Sequence, residues 1–287
     1  MSMETVHTKP GRRFNPLNDF LFLKVMGEKG DEEQLLGFLN AVLDRTGENR
    51  FTSIEILENK ALVAEAIGDK SSILDVRAVL QGGTRINVEV QLRNRHNMDK
   101  RSLFYWSREF IKSLDAGQDY RELPKVITIN ILNFEFLPAG DFHTCFHLRE
   151  DNARTLLTDV LEIHYINMVK WRKLSNKDIV NKPLHRWLAW LDPGSPPELV
   201  EEVVNMDNAI LKAQERQDHI LSDEDAIRIY EMRQLGRWDY INSIDYAREE
   251  GTEEGKLEVA RTMKVRGHSI DEIVECTGLS PEGIEKL

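Results

Sequence analysis

The chain has 287 residues, of which 41% are hydrophobic, and a formal net charge of -11. This composition fits one sizeable core with a smaller appendage and disfavours both a disordered chain and a membrane protein, since no apolar run approaches the length of a spanning helix. The first residues, MSMETVHTKPGRRF, lack the apolar core of a signal peptide, so we expect a cytoplasmic protein.

The negative charge is concentrated in one part of the chain. Residues 192–258 contain 18 Asp and Glu against 7 Lys and Arg, so the rest of the chain is neutral overall. Between positions 93 and 112, only Asp99 and Glu109 oppose a group of basic residues: Arg93, Arg95, Lys100, Arg101, Arg108 and Lys112. An acidic protein is an unusual partner for nucleic acid, but a local basic patch on a neutral domain still permits one.

Hydrophobic periodicity predicts alternating helices and strands in the first two thirds of the chain. Two helices are expected within residues 16–47, followed by strands in FTSIEILEN, SILDVRAVL and RINVEVQL, with Gly82-Gly83 as the turn between the last two. A helix is expected from Met98 to Leu114. KVITINILNF is β-branched without alternation, as in a central buried strand, and HTCFHLRE and LEIHYINMV predict two more strands.

This order of elements predicts a mixed α/β domain over residues 1–175. Residues 176–250 form an acidic helical segment, in which HRWLAWL predicts a helix that packs against the core. Residues 251–287 read as three helices separated by a glycine turn and a small-residue turn, the outline of a helix-turn-helix. The third helix, SPEGIEKL, has two Glu and one Lys, which disfavours DNA reading and favours a small packing or dimerisation module.

The helix predicted over residues 98–114 has a basic stripe. Arg101, Tyr105, Arg108 and Lys112 are spaced by four, three and four residues and therefore share one face. The stripe is either a surface for the DNA backbone or an ordinary solvated face, and the pattern alone fits both.

The two strands that flank Gly82-Gly83 carry acids among apolar residues. Because alternate residues of a strand point the same way, Asp75, Glu89 and Gln91 can share one face while the apolar residues face the core. Asp75 lies opposite Glu89 or Gln91 only if the connecting loop has an odd number of residues, and glycine supplies the positive φ that a three-residue loop needs. A two-residue loop would instead separate the acids onto opposite faces.

Two carboxylates on one face of a sheet repel each other unless a cation lies between them. Oxygen ligands of this kind suit Mg²⁺ or Mn²⁺, and such an ion polarises a phosphodiester and activates water. For an isolated acid pair, an ordinary solvent-facing hairpin is the commoner explanation.

The succession of motifs resembles the PD-(D/E)XK nuclease superfamily, specifically its branch of recombination-promoting nucleases and putative transposases. The similar segments are NDFLFLKVMG, LLGFLNAVL, SILDVRA, INVEVQ, GQDYRELPKVITINIL and, more loosely, EEGKLEVARTM and GLSPEGIEKL. The resemblance covers residues 14–175 well. It implies a restriction-endonuclease-like α/β core, with a mixed central sheet flanked by helices and a helical C-terminal part.

The resemblance assigns roles to individual positions. Asp75 and Glu89 match the two metal-binding acids, the Val90 carbonyl is a further ligand, and Asp19 matches an additional acid of the N-terminal helix. Gln91 occupies the position where the superfamily usually has a catalytic lysine, although this branch tends to have glutamine there.

An amide at Gln91 can orient water but adds no positive charge, so another cation must supply it. Lys24, Arg77 and Arg101 are the candidates. For Arg77, a plain ion pair with a neighbouring acid is an equally good expectation.

These observations predict a DNA endonuclease that depends on Mg²⁺ or Mn²⁺, with Arg101, Tyr105, Arg108 and Lys112 on the DNA backbone. Resemblance to the transposase branch implies a role in recombination or mobile DNA, and analogy alone suggests a homodimer. The alternative is a non-catalytic member that binds DNA or protein, which Gln91 and the acidic segment leave open. In either case, residues 176–287 can act as an acidic arm that shields the basic face.

His143, Cys145 and His147 alternate in a predicted strand and so share a face, as metal ligands do. Structural zinc sites need a fourth ligand and usually pairs of thiolates, which the neighbouring sequence does not offer. The sequence therefore favours an ordinary strand at this place.

Overall fold

The structure is a computed structural model of the chain. It describes residues 13–57, 75–94, 96–114, 117, 119–138 and 140–287. The beginning of the strand predicted in SILDVRAVL, residues 71–74, and Arg95 of the basic run lie outside the described residues.

Six strands form one mixed sheet in the order β1-β2-β3-β4-β6-β5. The strands are β1 (Ile54–Ile56), β2 (Asp75–Leu80), β3 (Arg85–Gln91), β4 (Val126–Leu132), β5 (His143–Phe146) and β6 (Leu161–Asn167). The first three are antiparallel, β3, β4 and β6 run parallel, and β5 is antiparallel to β6 at one edge. All six predicted strands are present, and the predicted α/β class is confirmed.

Strand β4 lies between β3 and β6, and every one of its residues is buried. A strand covered on both faces has no need of polar alternation, which explains the continuous apolar sequence VITINIL. The prediction of a central buried strand here is confirmed.

The loop between β2 and β3 is Gln81, Gly82 and Gly83. The Leu80 N–H donates to the Thr84 carbonyl at 2.8 Å, which closes this three-residue loop. Gly82 and Gly83 have φ of 86° and 83°, a region in which a side chain would be strained. The resulting register pairs Asp75 with Glu89, so the predicted odd-length turn and the shared face are confirmed.

Ten α-helices occur in the described residues. They are α1 (Asp19–Met26), α2 (Glu33–Val42), α3 (Met98–Ile111), α4 (Met168–Lys173), α5 (Pro183–Leu191), α6 (Pro197–Met206), α7 (Asn208–Ile220), α8 (Glu224–Val265), α9 (Ile270–Thr277) and α10 (Pro281–Glu285). Helices α1, α2, α5 and α7 pack together and form the main core with the apolar side chains of the sheet. Helix α3 contacts β3 and β4.

The chain divides into two compact units, Met1–Arg233 and Gln234–Leu287. The first unit includes α5, in which Trp187 and Trp190 are buried in the main core, so the predicted packing of HRWLAWL is confirmed. The sequence-based boundary near residue 175 does not coincide with this division.

The second unit ends in the three helical pieces expected from the sequence. A turn at Gly267 and a left-handed cap at Gly278 separate them, and the Ser280 hydroxyl accepts a hydrogen bond from the Gly283 N–H at the start of α10. Ala260, Ile273 and Ile284 form a small apolar cluster of this unit. Among the helices that the structure describes, none is long and apolar enough to cross a membrane.

Candidate active site

Asp75 and Glu89 are directly opposite each other on β2 and β3. Hydrogen-bonded and non-hydrogen-bonded pairs alternate along an antiparallel ladder, and Leu80 with Thr84 is a hydrogen-bonded pair. Counted from that pair, Asp75 and Glu89 form a non-hydrogen-bonded pair, for which the Cα atoms lie about 4.5 Å apart and the side chains are closest. The turn therefore places the two carboxylates side by side.

The two oxygens of Glu89 have different surroundings. Oε1 accepts hydrogen bonds from Arg101 Nε (3.0 Å), Arg101 Nη2 (2.8 Å) and Gln91 Nε2 (2.5 Å). Oε2 is buried and has no hydrogen-bond partner in the part of the chain that the structure describes. A buried carboxylate oxygen without a donor is costly, and a cation is the partner that its charge favours.

Burial raises the pKa of both acids. For Asp75 the removal from water outweighs the opposing attraction of Arg77 and Arg108. For Glu89, burial again outweighs the attraction and hydrogen bonds of Arg101 and the hydrogen bond of Gln91. Like charge adds to the effect of burial, because Asp75 raises the pKa of Glu89 and Glu109 raises the pKa of Asp75.

Helix α3 supplies the cations of the site. Arg101 Nη2 donates to the Tyr105 hydroxyl at 2.9 Å, and its guanidinium lies 4.9 Å from the centre of the Tyr105 ring. The guanidinium of Arg108 lies 5.8 Å from the centre of the same ring. Tyr105 thus contacts both arginines, and these contacts orient Arg101 toward Glu89.

A second ion pair lies beside the acids. Arg77 of β2 donates to Glu109 of α3, with Nη2 2.7 Å from each carboxylate oxygen. Both side chains are largely buried, with 13% and 5% of their surfaces exposed. The expectation that Arg77 pairs with a neighbouring acid is confirmed, and Arg77 is therefore occupied.

The orientation of α3 differs from that of an ordinary amphipathic helix. Its polar residues Ser102 and Glu109 are buried toward the sheet, whereas Leu103, Phe104 and Ile111 are 50%, 61% and 72% exposed. The polar face turns inward because the sheet face beneath it holds acids and amides that need hydrogen-bond partners. Arg101, with 14% of its side chain exposed, is consequently not part of a solvated stripe.

The other predicted site residues are less closely associated with the acid pair. Asp19 forms an ion pair with Arg233, with Nη2 2.6 Å from Oδ2, and Lys24 lies in the last turn of α1. Within the described residues, no hydrogen bond or ion pair joins either residue to Asp75 or Glu89. Lys112 follows the end of α3 and is exposed.

The Val90 carbonyl points toward the β2 side of β3. The Gln91 carbonyl accepts from the Asn133 N–H (2.9 Å) on the β4 side, and successive carbonyls of a strand point to opposite neighbours. Val90 therefore presents its carbonyl on the side where Asp75 lies, and its role as a ligand stays a prediction. The residue that the register places opposite, number 74, is outside the described part of the chain.

The donors present fit a hard divalent cation. Two carboxylates lie on adjacent strands, and one has a buried oxygen with no donor among the described residues. Together with the Val90 carbonyl on the same side, they are oxygen groups of the kind that Mg²⁺ or Mn²⁺ takes. Sequence reasoning named Asp75, Glu89 and Val90 as candidate ligands but did not identify Glu109 as a residue of the site. The available signal was its position on the same face of α3 as Arg101 and Tyr105.

A mixed sheet with an acid pair on adjacent strands, covered by a basic helix, is the arrangement expected of a PD-(D/E)XK nuclease-like protein. The model of a family described as PD-(D/E)XK nuclease family transposase matches residues 16–247. The chain therefore belongs to this family, whose superfamily typically uses divalent metals. Searches of curated proteins and of solved structures found no match to this chain.

Proposed function

We propose that this protein is a DNA endonuclease that depends on Mg²⁺ or Mn²⁺ and hydrolyses phosphodiester bonds in recombination or mobile DNA. The observation that supports this most directly is the buried Glu89 Oε2, which accepts no hydrogen bond from the residues that the structure describes and lies beside the paired carboxylate of Asp75. A purely structural acid would have both oxygens satisfied, as Glu109 has through Arg77.

Asp75, Glu89 and the Val90 carbonyl hold the ion in this proposal. When bound, the ion polarises the phosphodiester, neutralises developing charge and lowers the pKa of an attacking water. Glu89 is kept in place by the three hydrogen bonds to Oε1, so that Oε2 stays directed away from Arg101. This arrangement limits the reorganisation needed when the ligands are used.

Arg101 takes the electrostatic part of the role that lysine has in related proteins. Gln91 donates to the same Glu89 oxygen as Arg101, so the guanidinium lies next to the position that a lysine at 91 would occupy. The amide of Gln91 orients water, and the guanidinium of Arg101 supplies the positive charge that the amide lacks. The roles of one lysine are thereby divided between two residues.

The DNA backbone approaches along the side of the sheet that α3 covers. Lys112 is exposed and Arg108 half-buried at the C-terminal half of this helix, where both can meet phosphates. Arg101 and Tyr105 are committed to the acids and serve catalysis more than general DNA affinity. Two copies of the chain would let both strands be cut, which extends the proposal to a homodimer by analogy.

Nicking of supercoiled plasmid with Mg²⁺ or Mn²⁺ tests the proposed reaction. We expect nicking by the wild-type protein and loss of it, by roughly 100-fold or more, in Asp75→Asn and Glu89→Gln. Asp99→Asn is the matched control, because Asp99 is an exposed acid in the first turn of α3.

Equal nicking by the wild type and both acid variants would indicate a contaminating nuclease. No nicking by any of the folded proteins would contradict the proposal and favour the alternative, a family member that binds DNA or protein without cutting.

A further inference from the structure

A second group of metal-ligand side chains lies at the edge of the sheet, between β5 and β6. The Sγ of Cys145, a carboxylate oxygen of Glu162 and a ring nitrogen of His164 all lie within 4.8 Å of one another. Cys145 and His164 are cross-strand partners, so the register itself brings the thiol and the imidazole together.

The sulfur-to-nitrogen distance between Cys145 and His164 matches that of a tetrahedral zinc site. With Zn–S of about 2.3 Å and Zn–N of about 2.0–2.1 Å, sulfur and nitrogen ligands lie about 3.6 Å apart. The Sγ of Cys145 is 3.6 Å from His164 Nε2, and the Nδ1 of His147 is 3.7 Å from the same sulfur. His147 approaches Glu162 through its other ring nitrogen, with Nε2 3.4 Å from Oε2, so it lies beside the three ligands and does not complete their set.

Neighbouring side chains hold these ligands in orientation. His143 Nε2 is 2.9 Å from His164 Nδ1, and the two rings stack. In the metal-free chain His164 Nε2 carries the proton that it donates to Glu162 Oε1, and a metal bound at Nε2 would replace that proton. Lys125 Nζ is 2.5 Å from Glu162 Oε2, which positions the carboxylate while Oε1 lies 2.6 Å from His164 Nε2. Supporting contacts of this kind orient the ligands in many metal sites.

This group is separate from the acid pair. Ile129, the β4 residue paired with His164, belongs to the main core, whereas the next residue, Asn130, contacts Ser102 of α3. Because successive side chains of a strand point to opposite faces, the cluster of Cys145, Glu162 and His164 lies on the opposite face of the sheet from the acid pair.

We propose that Cys145, Glu162 and His164 form a three-ligand Zn²⁺ site, with water in the fourth position, that joins the edge strand β5 to β6. Sulfur and imidazole ligands select Zn²⁺ over Mg²⁺, so the site takes a different class of metal from the acid pair. The thiol is exposed, which gives the ion a path of entry. Bound metal stabilises the short edge strand, which has only one neighbouring strand.

Zinc binding to the full chain, after removal of metals, tests the site. We expect one Zn²⁺ per chain by equilibrium dialysis with elemental analysis, and affinity weakened by roughly 100-fold or more in Cys145→Ser. Cys276→Ser is the matched control, since Cys276 is the other free, exposed cysteine and lies in α9 of the second unit. Asp75→Asn alters the acid pair but not the Cys145 cluster, so this variant should bind zinc as tightly as the wild type does.

Co²⁺ substitution and thiol alkylation provide readouts that need no nuclease activity. A thiolate-to-cobalt charge-transfer band should appear in the wild type and Cys276→Ser and be absent in Cys145→Ser. In the wild type, Zn²⁺ should slow alkylation of Cys145 at least tenfold, measured by mass spectrometry, and leave Cys276 unchanged.

The alkylation experiment uses the wild type, so it remains decisive if Cys145→Ser fails to fold. His164→Gln is a second variant and should also lose zinc binding. Zinc binding that survives Cys145→Ser, zinc binding that is lost in Asp75→Asn, or equal alkylation with and without Zn²⁺ would overturn the inference.

Discussion

At the scale of single residues, the burial of Asp75 and Glu89 disfavours the ionised state that the proposed metal site requires. Glu89 is only 1% exposed, and burial raises the pKa of both Glu89 and Asp75. A raised pKa for an acid means that the folded state disfavours the ionised form. At neutral pH both carboxylates therefore cost folding free energy until a cation binds.

Asp75→Asn should raise the melting temperature of the metal-free protein. Ionised Asp75 destabilises the fold at neutral pH, and this cost declines as the pH falls below the raised pKa and vanishes only below the ordinary pKa of aspartate. Removing the charge by substitution should therefore remove the cost at neutral pH. Mg²⁺ should raise the melting temperature of the wild type but not of Asp75→Asn. Thermal unfolding with and without Mg²⁺ measures both effects. A lower melting temperature for metal-free Asp75→Asn, with Asp99→Asn unchanged, would contradict this account.

Arg101→Gln should lower plasmid nicking by roughly 100-fold, since it removes the cation closest to Glu89. Adding Gln91→Lys to that variant should restore at least part of the activity, because lysine then supplies the charge from the neighbouring position. Arg121→Gln is the control, as Arg121 is an exposed arginine paired with Asp119. If the double variant is no more active than Arg101→Gln, Arg101 does not substitute for the missing lysine.

At the scale of elements, one turn and one helix decide the site. The β2–β3 loop sets the register that pairs Asp75 with Glu89, and α3 turns its polar face inward to meet them. The sequence predicted the loop, because only an odd length puts the acids together. It did not predict which face of α3 is buried.

Gly83→Ala should destabilise the protein by about 1–2 kcal/mol. Its φ is 83°, a left-handed conformation that costs a residue with a side chain about 1–2 kcal/mol, although no described atom beyond its chain neighbours lies within 4 Å of the added Cβ. Gly194→Ala, at a glycine in another turn where a Cβ would meet only ordinary contacts, is the control. Urea unfolding gives the free energies. A loss no larger than that of the control would show that the turn tolerates a side chain.

His185 should make stability fall as the pH drops below about 6.5, its ordinary pKa. The buried ring accepts a hydrogen bond from the Asp178 N–H (2.8 Å) at Nδ1 and packs against Phe142 and Trp171. Burial and the nearby Lys182 and Lys177 lower its pKa, opposed by Asp178. The unfolded chain therefore takes up a proton that the folded chain resists, and folding weakens as the pH falls toward the lowered pKa.

Unfolding free energies between pH 8 and 5 measure this dependence. His185→Gln should lower stability at pH 8 but flatten the slope below pH 6.5, whereas His219→Gln, an exposed histidine at the end of α7, should leave the slope unchanged. An unchanged slope in His185→Gln would assign the pH dependence to other groups.

At the scale of the whole molecule, the first compact unit extends well past the nuclease-like strands. Gly37 of α2 lies so close to Ala209 of α7 that a Cβ at 37 would be 2.3 Å from the Ala209 Cβ. Arg233, at the end of this unit, pairs with Asp19 of α1. Helices that read as a separate acidic segment therefore complete the core of the first unit.

A chain that ends after Arg233 should fold, whereas one that ends after Lys173 should not. The longer form keeps α5 to α7 and the Arg233–Asp19 pair, while the shorter loses the buried Trp187 and Trp190. Circular dichroism and thermal unfolding of the two forms distinguish them. The longer form also tests whether residues 234–287 shield the basic face of the first unit from DNA. If their removal leaves DNA affinity in low salt unchanged, these residues do not shield it. Cooperative folding of the chain that ends at Lys173 would contradict this division of the molecule.

The sequence by itself determined the strands, the odd-length glycine turn and the acid pair. These features depend on local periodicity and on the arithmetic of strand pairing, which neighbouring residues fix. Only the tertiary structure decided that Arg101 rather than Lys24 or Arg77 contacts Glu89, and that α3 buries its polar face. The tertiary structure also brought Glu162 and His164 next to Cys145. These residues meet because β5 pairs with β6, and local sequence patterns do not encode the register of two strands that are separated in sequence.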